Sequence, residues 1–287
     1  MRRSRDRLDK VLVEKGFAST RARAQAMIMA GQVRVDGNPA DKAGRMVDAE
    51  AALEIARNDD EWVSRGAHKL LRGLDVFGID PCGCVCLDVG ASTGGFTEVL
   101  LSRSASRVFA VDVGYGQLAW KLRNDPRVVV MERTNARLLT PDQFTSPMDL
   151  IVVDASFISL RLLLPILQKL LTPGGEMVVL IKPQFEAGKG RVGKGGVVRS
   201  PEIHRQVLEE FCAFVRTLED IALVGLTWSP IKGPKGNIEF LAHLAEKTRG
   251  KTSSGDVEET VAAVVSGATL ALSENRQGNE TERENEA

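Results

Sequence analysis

The chain has 287 residues, 43% of them hydrophobic, and its 38 basic residues balance its 38 acidic ones. This length allows two domains or one large one, and charged residues and a proline interrupt the most apolar stretch, 160–171, which excludes a membrane-spanning helix. The net charge says nothing about nucleic acid, but residues 1–34 hold nine Lys/Arg against three acids and residues 182–200 hold five against one, which indicates an anionic partner.

The cysteines and the N-terminal residues indicate a cytoplasmic protein without a metal site. Cys82, Cys84 and Cys86 alternate along one strand, which is not the paired spacing of a zinc site, so we interpret them as reduced, packed side chains. We recognise no secretory signal peptide, because charged residues follow the basic start where an apolar run would be needed.

The first 60 residues are predicted to form a small α+β domain. Capping residues indicate two short helices, the first ending at Gly16 and the second at Gly31. A strand at 32–35, a tight turn and a strand at 52–56 complete the unit. The polar run 58–61 is the best candidate for a domain boundary.

From about residue 62 the pattern alternates between strands and helices, which predicts a mostly parallel, Rossmann-like sheet with helices on both faces. Strands are predicted at 84–89, 107–112, 127–131, 149–154 and 176–182, and helices at 159–171, 202–218 and 256–272. Two late strands, near 221–228 and 237–243, are joined by a turn too short for a crossover helix and should pair antiparallel. The predicted divisions are a domain at 1–60, a linker at 61–66, a domain at 67–272 and a disordered tail at 273–287.

A glycine-rich turn follows the first strand of the second region. That strand ends at Asp88, and the glycines from Gly90 onward let the backbone approach a ligand before a helix begins. Ser92 stands where a dinucleotide fingerprint needs its second glycine, and no P-loop Gly-Lys-Ser/Thr follows. The turn therefore suits a ligand without phosphates, of which S-adenosylmethionine is the commonest, while an ordinary strand-to-helix loop is the alternative.

Polar side chains close several other strands. Asp112 lies 22 residues beyond Gly90, where an α/β cofactor site places a carboxylate on ribose hydroxyls; a solvated loop acid is the alternative. Asp154 ends the fourth strand and Lys182 ends the fifth. Because ligands bind outside the carboxyl ends of parallel strands, we expect these residues and Asp88 to point at one crevice.

Lys182 indicates a reaction at this crevice. A lysine that closes an apolar strand can act as a base when burial lowers its pKa, or as a fixed cation that favours an alkoxide. A structural salt bridge to Asp154 is the alternative, and both interpretations can hold. The following loop, 185–196, has five glycines and is typical of a clamp for a phosphate backbone, or else of a mobile solvated loop; its basic residues are Lys189, Arg191 and Lys194.

Several ordered stretches resemble the TlyA (hemolysin-A-like) ribosomal RNA methyltransferases along nearly the whole chain. They are Val-Ser-Arg-Gly at 63–66 with Lys69, Leu-Asp-Val-Gly-Ala-Ser-Thr-Gly-Gly-Phe at 87–96, Asp-Val-Gly-Tyr-Gly-Gln-Leu at 112–118, Arg-Thr-Asn-Ala at 133–136, Asp-Ala-Ser-Phe-Ile-Ser at 154–159, Lys-Pro-Gln-Phe-Glu at 182–186 and Gly-Asn-Ile-Glu at 236–239. The N-terminal unit resembles the small RNA-binding domain named after ribosomal protein S4.

The resemblance implies an FtsJ-like domain that uses S-adenosylmethionine to methylate a ribose 2′-hydroxyl, that of a cytidine in ribosomal RNA. Its Lys-Asp-Lys-Glu tetrad falls on Lys69, Asp154, Lys182 and Glu239. Lys182 would position and deprotonate the hydroxyl, the two carboxylates would hold the lysines, and Lys69 would add positive charge where the alkoxide develops. Asn135 is placed near the adenine by analogy.

The expected contacts form two sets. The cofactor residues are Asp88, Gly90, Ser92, Thr93, Gly94, Gly95, Phe96, Asp112, Asn135 and Asp154. The RNA-binding residues are Arg3, Arg5, Arg7, Lys10, Arg21, Arg23, Arg34, Arg65, Lys189, Arg191 and Lys194. We expect a monomer whose partner is ribosomal RNA or a ribosomal subunit, with neither a membrane nor a metal involved.

Other classes of function are alternatives. Membrane lysis, which the family's name suggests, is disfavoured because the sequence has no spanning segment and no strongly amphipathic basic helix with an aromatic face. A ribosome assembly factor that binds RNA without catalysis is disfavoured by the complete tetrad. A nicotinamide oxidoreductase is disfavoured by Ser92.

Overall fold

The computed structural model describes residues 5–18, 20–29, 33–40, 42–48, 51–55, 62–188, 190–233, 235–247 and 254–284. The chain divides into two compact units, Met1–Glu61 and Trp62–Ala287. Arg3, Lys189 and the predicted boundary run 58–61 lie outside the described residues.

The first unit is a small α+β domain, as predicted. Its elements are β1 (Arg5–Arg7), α1 (Leu8–Glu14), α2 (Arg21–Met29), β2 (Val33–Val35), β3 (Asn38–Pro39), β4 (Met46–Asp48) and β5 (Leu53–Ile55). Strand β1 pairs with β4, and β2 lies between β3 and β5, all antiparallel. Leu8, Leu12 and Ile28 of the two helices and Val33 of β2 are fully buried in one core, which gives this unit its own hydrophobic centre.

The second unit contains a seven-stranded sheet with the order β11-β12-β10-β9-β6-β7-β8. Its elements are α3 (Gly66–Phe77), β6 (Val85–Val89), α4 (Gly95–Ser102), β7 (Arg107–Val111), α5 (Trp120–Arg123), β8 (Val128–Met131), β9 (Met148–Val153), α6 (Leu160–Leu167), β10 (Leu171–Ile181), α7 (Pro183–Glu186), α8 (Pro201–Arg216), β11 (Ile221–Trp228), β12 (Phe240–Glu246) and α9 (Ser254–Glu284). The five strands from β10 to β8 are parallel, and β12 pairs antiparallel with β10 and β11. The predicted fold class and the predicted antiparallel pairing are confirmed.

Helices cover both faces of this sheet, so its central strands are buried on both sides. In β9, Ile151 and Val153 belong to one core, and Leu150 and Val152 belong to the other. This alternation follows from the two-residue period of a strand. It explains why the central strands are continuous apolar runs in the sequence.

Two helices end elsewhere than predicted. Helix α6 ends at Leu167, and β10 begins at Leu171 because the backbone pairs with β9 at Met148 before a bulge delays regular pairing until Glu176. Helix α9 continues to Glu284, whereas we predicted a disordered tail from residue 273. Residues 273–284 contain no proline, the residue that most strongly ends a helix. Among the described helices, none is long and apolar enough to cross a membrane.

Candidate active site

Four predicted site residues gather at the carboxyl end of the parallel sheet. Asp112 follows β7, Asp154 follows β9 and Lys182 follows β10, so three of the five parallel strands deliver a titratable side chain to the same edge. Glu239 immediately precedes β12, which runs in the opposite direction and therefore starts at this edge. The arrangement is that of ligand sites in open α/β sheets.

The four tetrad residues form one connected network of ion pairs. Lys182 Nζ lies 2.5 Å from Asp154 Oδ1 and donates to Ser156 Oγ at 2.9 Å. Lys69 Nζ lies 2.6 Å from Glu239 Oε2 and 3.9 Å from Asp154 Oδ2. Asp154 thus stands between two ammonium groups, and each lysine has a carboxylate as its nearest partner.

The network is buried except at Asp154, whose side chain is 20% exposed. The side chains of Lys69 and Lys182 are each 8% exposed, and that of Glu239 is 1% exposed. Two positive and two negative charges balance in this network. This pairing offsets the cost of burying them, because an unpaired charge there would be strongly destabilising. The turn before β12 approaches closely: a Cβ atom added to Gly233 would lie 2.4 Å from Glu239 Oε1.

A cavity of about 340 Å³ opens beside Asp154. It is lined by Val89, Gly90, Ser92, Val111, Asp112, Val113, Gln117, Thr134, Asn135, Ala136, Asp154, Ala155, Ser156, Phe157, Ile158 and Leu163. Two carboxylates and no Lys or Arg occur among these lining residues. Such a lining suits a neutral or cationic ligand better than one with phosphate groups.

Five of the ten predicted cofactor residues line the cavity: Gly90, Ser92, Asp112, Asn135 and Asp154. Two backbone amides fix the Asp112 carboxylate, because Oδ2 accepts from Ser92 N at 2.8 Å and Oδ1 accepts from Gly114 N at 2.6 Å. Gly90 has a φ of 87°, and a Cβ there would lie 2.8 Å from the Asp154 carbonyl oxygen. Only glycine lets the two loops approach so closely.

The other five predicted cofactor residues do not line the cavity: Asp88, Thr93, Gly94, Gly95 and Phe96. Asp88 is fully buried, and its Oδ2 accepts a hydrogen bond from Thr97 Oγ1 at 2.7 Å. Burial raises the pKa of Asp88 to about 7. Asp88 therefore joins β6 to α4 behind the cavity, although its position at a strand end predicted a direct contact.

The two glycines after Thr93 serve the packing of α4. Gly94 caps the helix with a φ of 100°, and a Cβ there would lie 2.2 Å from Leu122 Cδ1. A Cβ on Gly95 would lie 2.2 Å from Ser64 Oγ. Phe96, which follows, is buried in the hydrophobic core. These residues hold the turn in place instead of forming the cavity wall.

Sequence reasoning missed several residues around the cavity, including Gln117 and Phe157. Ser92, Arg133 and Phe157 have φ values of 49°, 55° and 64°, a conformation that side chains other than glycine rarely adopt. Ser92 and Phe157 line the cavity, and Arg133 precedes the lining residue Thr134. Strained backbone of this kind clusters at functional sites. The Asp-Ala-Ser-Phe-Ile-Ser stretch at 154–159 was the available signal for Phe157.

Most of the predicted RNA-binding residues are exposed. Those on the first unit are Arg5, Arg7, Lys10, Arg21, Arg23 and Arg34, and those on the second unit are Arg65 and Lys194. Arg191 differs, because its two terminal nitrogens contact the Glu210 carboxylate at 2.6 and 3.0 Å and its Nε donates to the Ala187 carbonyl. Its guanidinium therefore anchors the glycine-rich loop to α8.

An open α/β sheet with a cavity suited to a ligand without phosphates, beside a buried lysine–carboxylate network, is the arrangement of a Rossmann-like ligand-binding domain. A family model of FtsJ-like methyltransferases matches residues 62–246, and a model of the S4 domain matches residues 6–53. In the part of the chain that the structure describes, no group of three or more metal-ligating side chains is found.

Known proteins resemble the chain over most of its length. The 16S/23S rRNA (cytidine-2′-O)-methyltransferase TlyA of Mycobacterium tuberculosis is 49% identical over 266 residues, which are 91% of this chain and 98% of the relative. Hemolysin A of Brachyspira hyodysenteriae is 42% identical over 83% of this chain and 98% of the relative. A solved structure of a hemolysin candidate from Streptococcus thermophilus is 41% identical, with a TM-score of 0.74 over 96% of this chain and 99% of that one. The chain belongs to the TlyA family of FtsJ-like methyltransferases.

Proposed function

We propose that the protein transfers the methyl group of S-adenosylmethionine to the ribose 2′-hydroxyl of a cytidine in ribosomal RNA. The observation that carries this proposal is the ion-pair network: Asp154 borders the cavity and binds Lys182 Nζ at 2.5 Å. The 49% identity with a relative named for this reaction supports the choice of substrate.

The residues of the cavity fit S-adenosylmethionine, which supplies a methyl group activated by a positively charged sulfonium. Asp112, held by two backbone amides, would hold the ribose hydroxyls with its carboxylate, and Asn135, which also lines the cavity, would lie near the adenine. Asp112 and Asp154 complement the positive charge, and the absence of Lys and Arg from the described lining matches a cofactor without phosphates.

The tetrad prepares the ribose hydroxyl for attack. Lys182 Nζ first releases a proton to solvent, then binds the hydroxyl and accepts its proton, which restores the ammonium that Asp154 stabilises. Lys69, held by Glu239 and Asp154, places a second positive charge near the developing alkoxide. Ser156 restricts Lys182 to one position, which supports the in-line geometry that methyl transfer needs.

Exposed basic residues support RNA as the partner. The first unit, which matches the S4 domain, carries Arg5, Lys10, Arg23 and Arg34 on its surface. Such residues bind phosphate groups with little regard for sequence. We propose that the first unit binds ribosomal RNA or a ribosomal subunit, that the second unit performs the reaction, and that a monomer acts in the cytoplasm.

Replacing Lys182 tests the proposed function. We expect Lys182→Ala to keep its affinity for S-adenosylmethionine in calorimetry while methyl transfer to ribosomal RNA falls by about 10²–10⁴-fold, the usual contribution of a positioned acid or base. The matched control is Lys169→Ala, because Lys169 is an exposed lysine just before β10, at the other end of that strand. Retained turnover in Lys182→Ala would remove Lys182 from the mechanism.

A further inference from the structure

Asp9 of the first unit is a fully buried carboxylate that accepts four hydrogen bonds. Arg7 donates from Nε to Oδ1 and from Nη2 to Oδ2, both at 3.0 Å. Arg21 Nη2 and Gln25 Nε2 donate to Oδ2 at 3.1 and 2.8 Å. These bonds, that of Arg7 foremost, hold the pKa of Asp9 well below its usual range, so the carboxylate is charged at neutral pH.

The two arginines bound to Asp9 are themselves exposed. The side chain of Arg7 is 47% exposed and that of Arg21 is 57% exposed, whereas that of Asp9 is 0% exposed. Asp9 engages two of the five N–H donors of Arg7 and one of the five of Arg21. The remaining N–H donors of Arg7 and Arg21 are therefore available at the surface. The two arginines and Asp9 together carry one net positive charge.

The buried carboxylate explains why two like charges lie side by side. The Nη2 atoms of Arg7 and Arg21 both lie within 3.1 Å of Asp9 Oδ2, a proximity that guanidinium groups would avoid without a shared anion. Gly44 lies beside the Arg7 guanidinium, since a Cβ atom added to Gly44 would lie 3.5 Å from Nη1, an ordinary contact distance. Arginines held in this way lose little side-chain entropy when they bind.

We propose that Asp9 is a positioning residue for RNA recognition, which holds Arg7 and Arg21 as a paired site for a backbone phosphate. Two adjacent guanidinium groups can each donate to a phosphate oxygen, an arrangement stronger than a single flexible cation. The site recognises the phosphodiester and not the base, so its effect is the same for every RNA sequence. This inference rests on the proposed function for the identity of the RNA.

The variant Asp9→Asn distinguishes a positioning role of Asp9 from a purely electrostatic effect, because the two predict opposite changes in RNA affinity. The substitution removes a negative charge, so electrostatics alone predicts tighter RNA binding, whereas loss of the paired arginines predicts weaker binding. We expect the Kd for deproteinised ribosomal RNA to rise by about fivefold to tenfold. The slope of the log of the binding constant against the log of the salt concentration should fall in magnitude by about 1, the value for one lost phosphate contact. The measurement is filter binding between about 50 and 200 mM salt.

Glu14→Gln is the charge-matched control. Glu14 lies at the end of α1, is exposed, and pairs with Lys10 at 3.5 Å and not with Arg7 or Arg21. The variant gains the same unit of positive charge, so we expect RNA binding equal to or tighter than that of the native protein. Binding by Asp9→Asn as tight as by Glu14→Gln would overturn the proposal.

A double substitution distinguishes positioning from a general structural role. In a protein that carries both Arg7→Lys and Arg21→Lys, charge is kept but the forked donors are lost, and we expect Asp9→Asn to cause no further loss of affinity. A further loss there would show that Asp9 acts otherwise. If Asp9→Asn unfolds the first unit, as circular dichroism would reveal, the double-lysine variant carries the test: it should fold and still bind about fivefold to tenfold more weakly, and native affinity would overturn the proposal.

Turnover keeps this inference separate from the proposed function. With Asp9→Asn we expect kcat at saturating RNA to remain native while KM for RNA rises, because Asp9 belongs to the RNA-binding unit. If the native protein bound RNA but showed no turnover, the proposed function would be contradicted, whereas the inferred role of Asp9 in RNA binding would not be affected. Native KM together with native kcat would contradict the role of Asp9.

Discussion

Asp88 has the same side chain as Asp112 and Asp154 but a different role. In β6 the side chains alternate, so Leu87 and Val89 face one core and Asp88 lies on the other face with no exposure to solvent. Its neighbour Thr97 supplies one hydrogen bond. A carboxyl group in this position is stable as the neutral acid, which is why its pKa rises.

Asp88 should therefore make stability depend on pH. Its folded pKa of about 7 lies above the ordinary value of 3.8, so the native state retains a proton that the unfolded chain releases, and stability falls as pH rises toward 7. Asp88→Asn keeps the shape and removes the titration. From pH 5.5 to 8.5 we expect the free energy of unfolding of the variant, relative to the native protein, to increase by about 2 kcal/mol.

Urea unfolding without cofactor provides the measurement. Other titrating groups, such as the buried His204 whose pKa is lowered by desolvation, are present in both proteins and cancel in the difference. Parallel pH profiles of the two proteins would show that Asp88 is ionised in the folded state, contrary to the expectation from its burial.

Single residues differ in how far the sequence could predict them. Asp154 and Lys182 end apolar strands, and that rule alone predicted their proximity. Lys69 and Glu239 are 170 residues apart in the chain, in a helix and before an antiparallel strand, so only the family resemblance pointed to them. Arg191 was predicted to bind RNA, but no spacing rule revealed its partner Glu210 on α8.

At the scale of elements, the cavity depends on how closely the turn after β6 and the loop after β9 approach each other at Gly90. The turn after β6 passes so close to the loop after β9 that a Cβ on Gly90 would meet backbone atoms of Asp154 and Ala155 at 2.8 to 3.1 Å. Backbone cannot move aside as a flexible side chain can. The loop that carries Asp154 would therefore have to shift, and the ion-pair network would shift with it.

Gly90→Ala should weaken cofactor binding more than a strained φ alone explains. The matched control is Gly83→Ala, because Gly83 has a φ of 73° but nothing lies within 4 Å of its added Cβ. Both variants are expected to lose roughly 1–2 kcal/mol of stability from the left-handed conformation. Only Gly90→Ala should also raise the Kd for S-adenosylmethionine in calorimetry, by about tenfold or more. Equal Kd values in the two variants would contradict this account of the turn.

The elements themselves were predictable because the chain is locally consistent. The parallel strands are apolar runs that end in polar residues, and the turn at 230–236 is too short for a crossover, which fixed the direction of β12. The start of β10 was not predictable, since Pro173, Gly174 and Gly175 indicate a turn. The bulge that carries the strand through them depends on pairing with β9, which lies more than 20 residues earlier in the chain.

For the whole molecule, the division of charge parallels the division into two units. The chain is neutral overall, yet the basic residues of 1–34 lie on the unit that matches the S4 domain, and the buried lysine–carboxylate network lies in the unit that matches FtsJ-like methyltransferases. Composition and spacing alone indicated a phosphate-free cofactor and an anionic partner. The kind of RNA and the position of the methyl group came from family membership, because neither is encoded in a local pattern.

The most direct test of the central claim is to map methyl groups on ribosomal RNA. Ribosomal subunits from cells that lack this protein are incubated with S-adenosylmethionine and either the native protein or Lys182→Ala, and 2′-O-methylation is then mapped nucleotide by nucleotide. We predict that the native protein methylates the 2′-hydroxyl of a cytidine and that Lys182→Ala leaves it unmodified. Methylation of a base instead of a ribose, or no transfer by the native protein, would contradict the account.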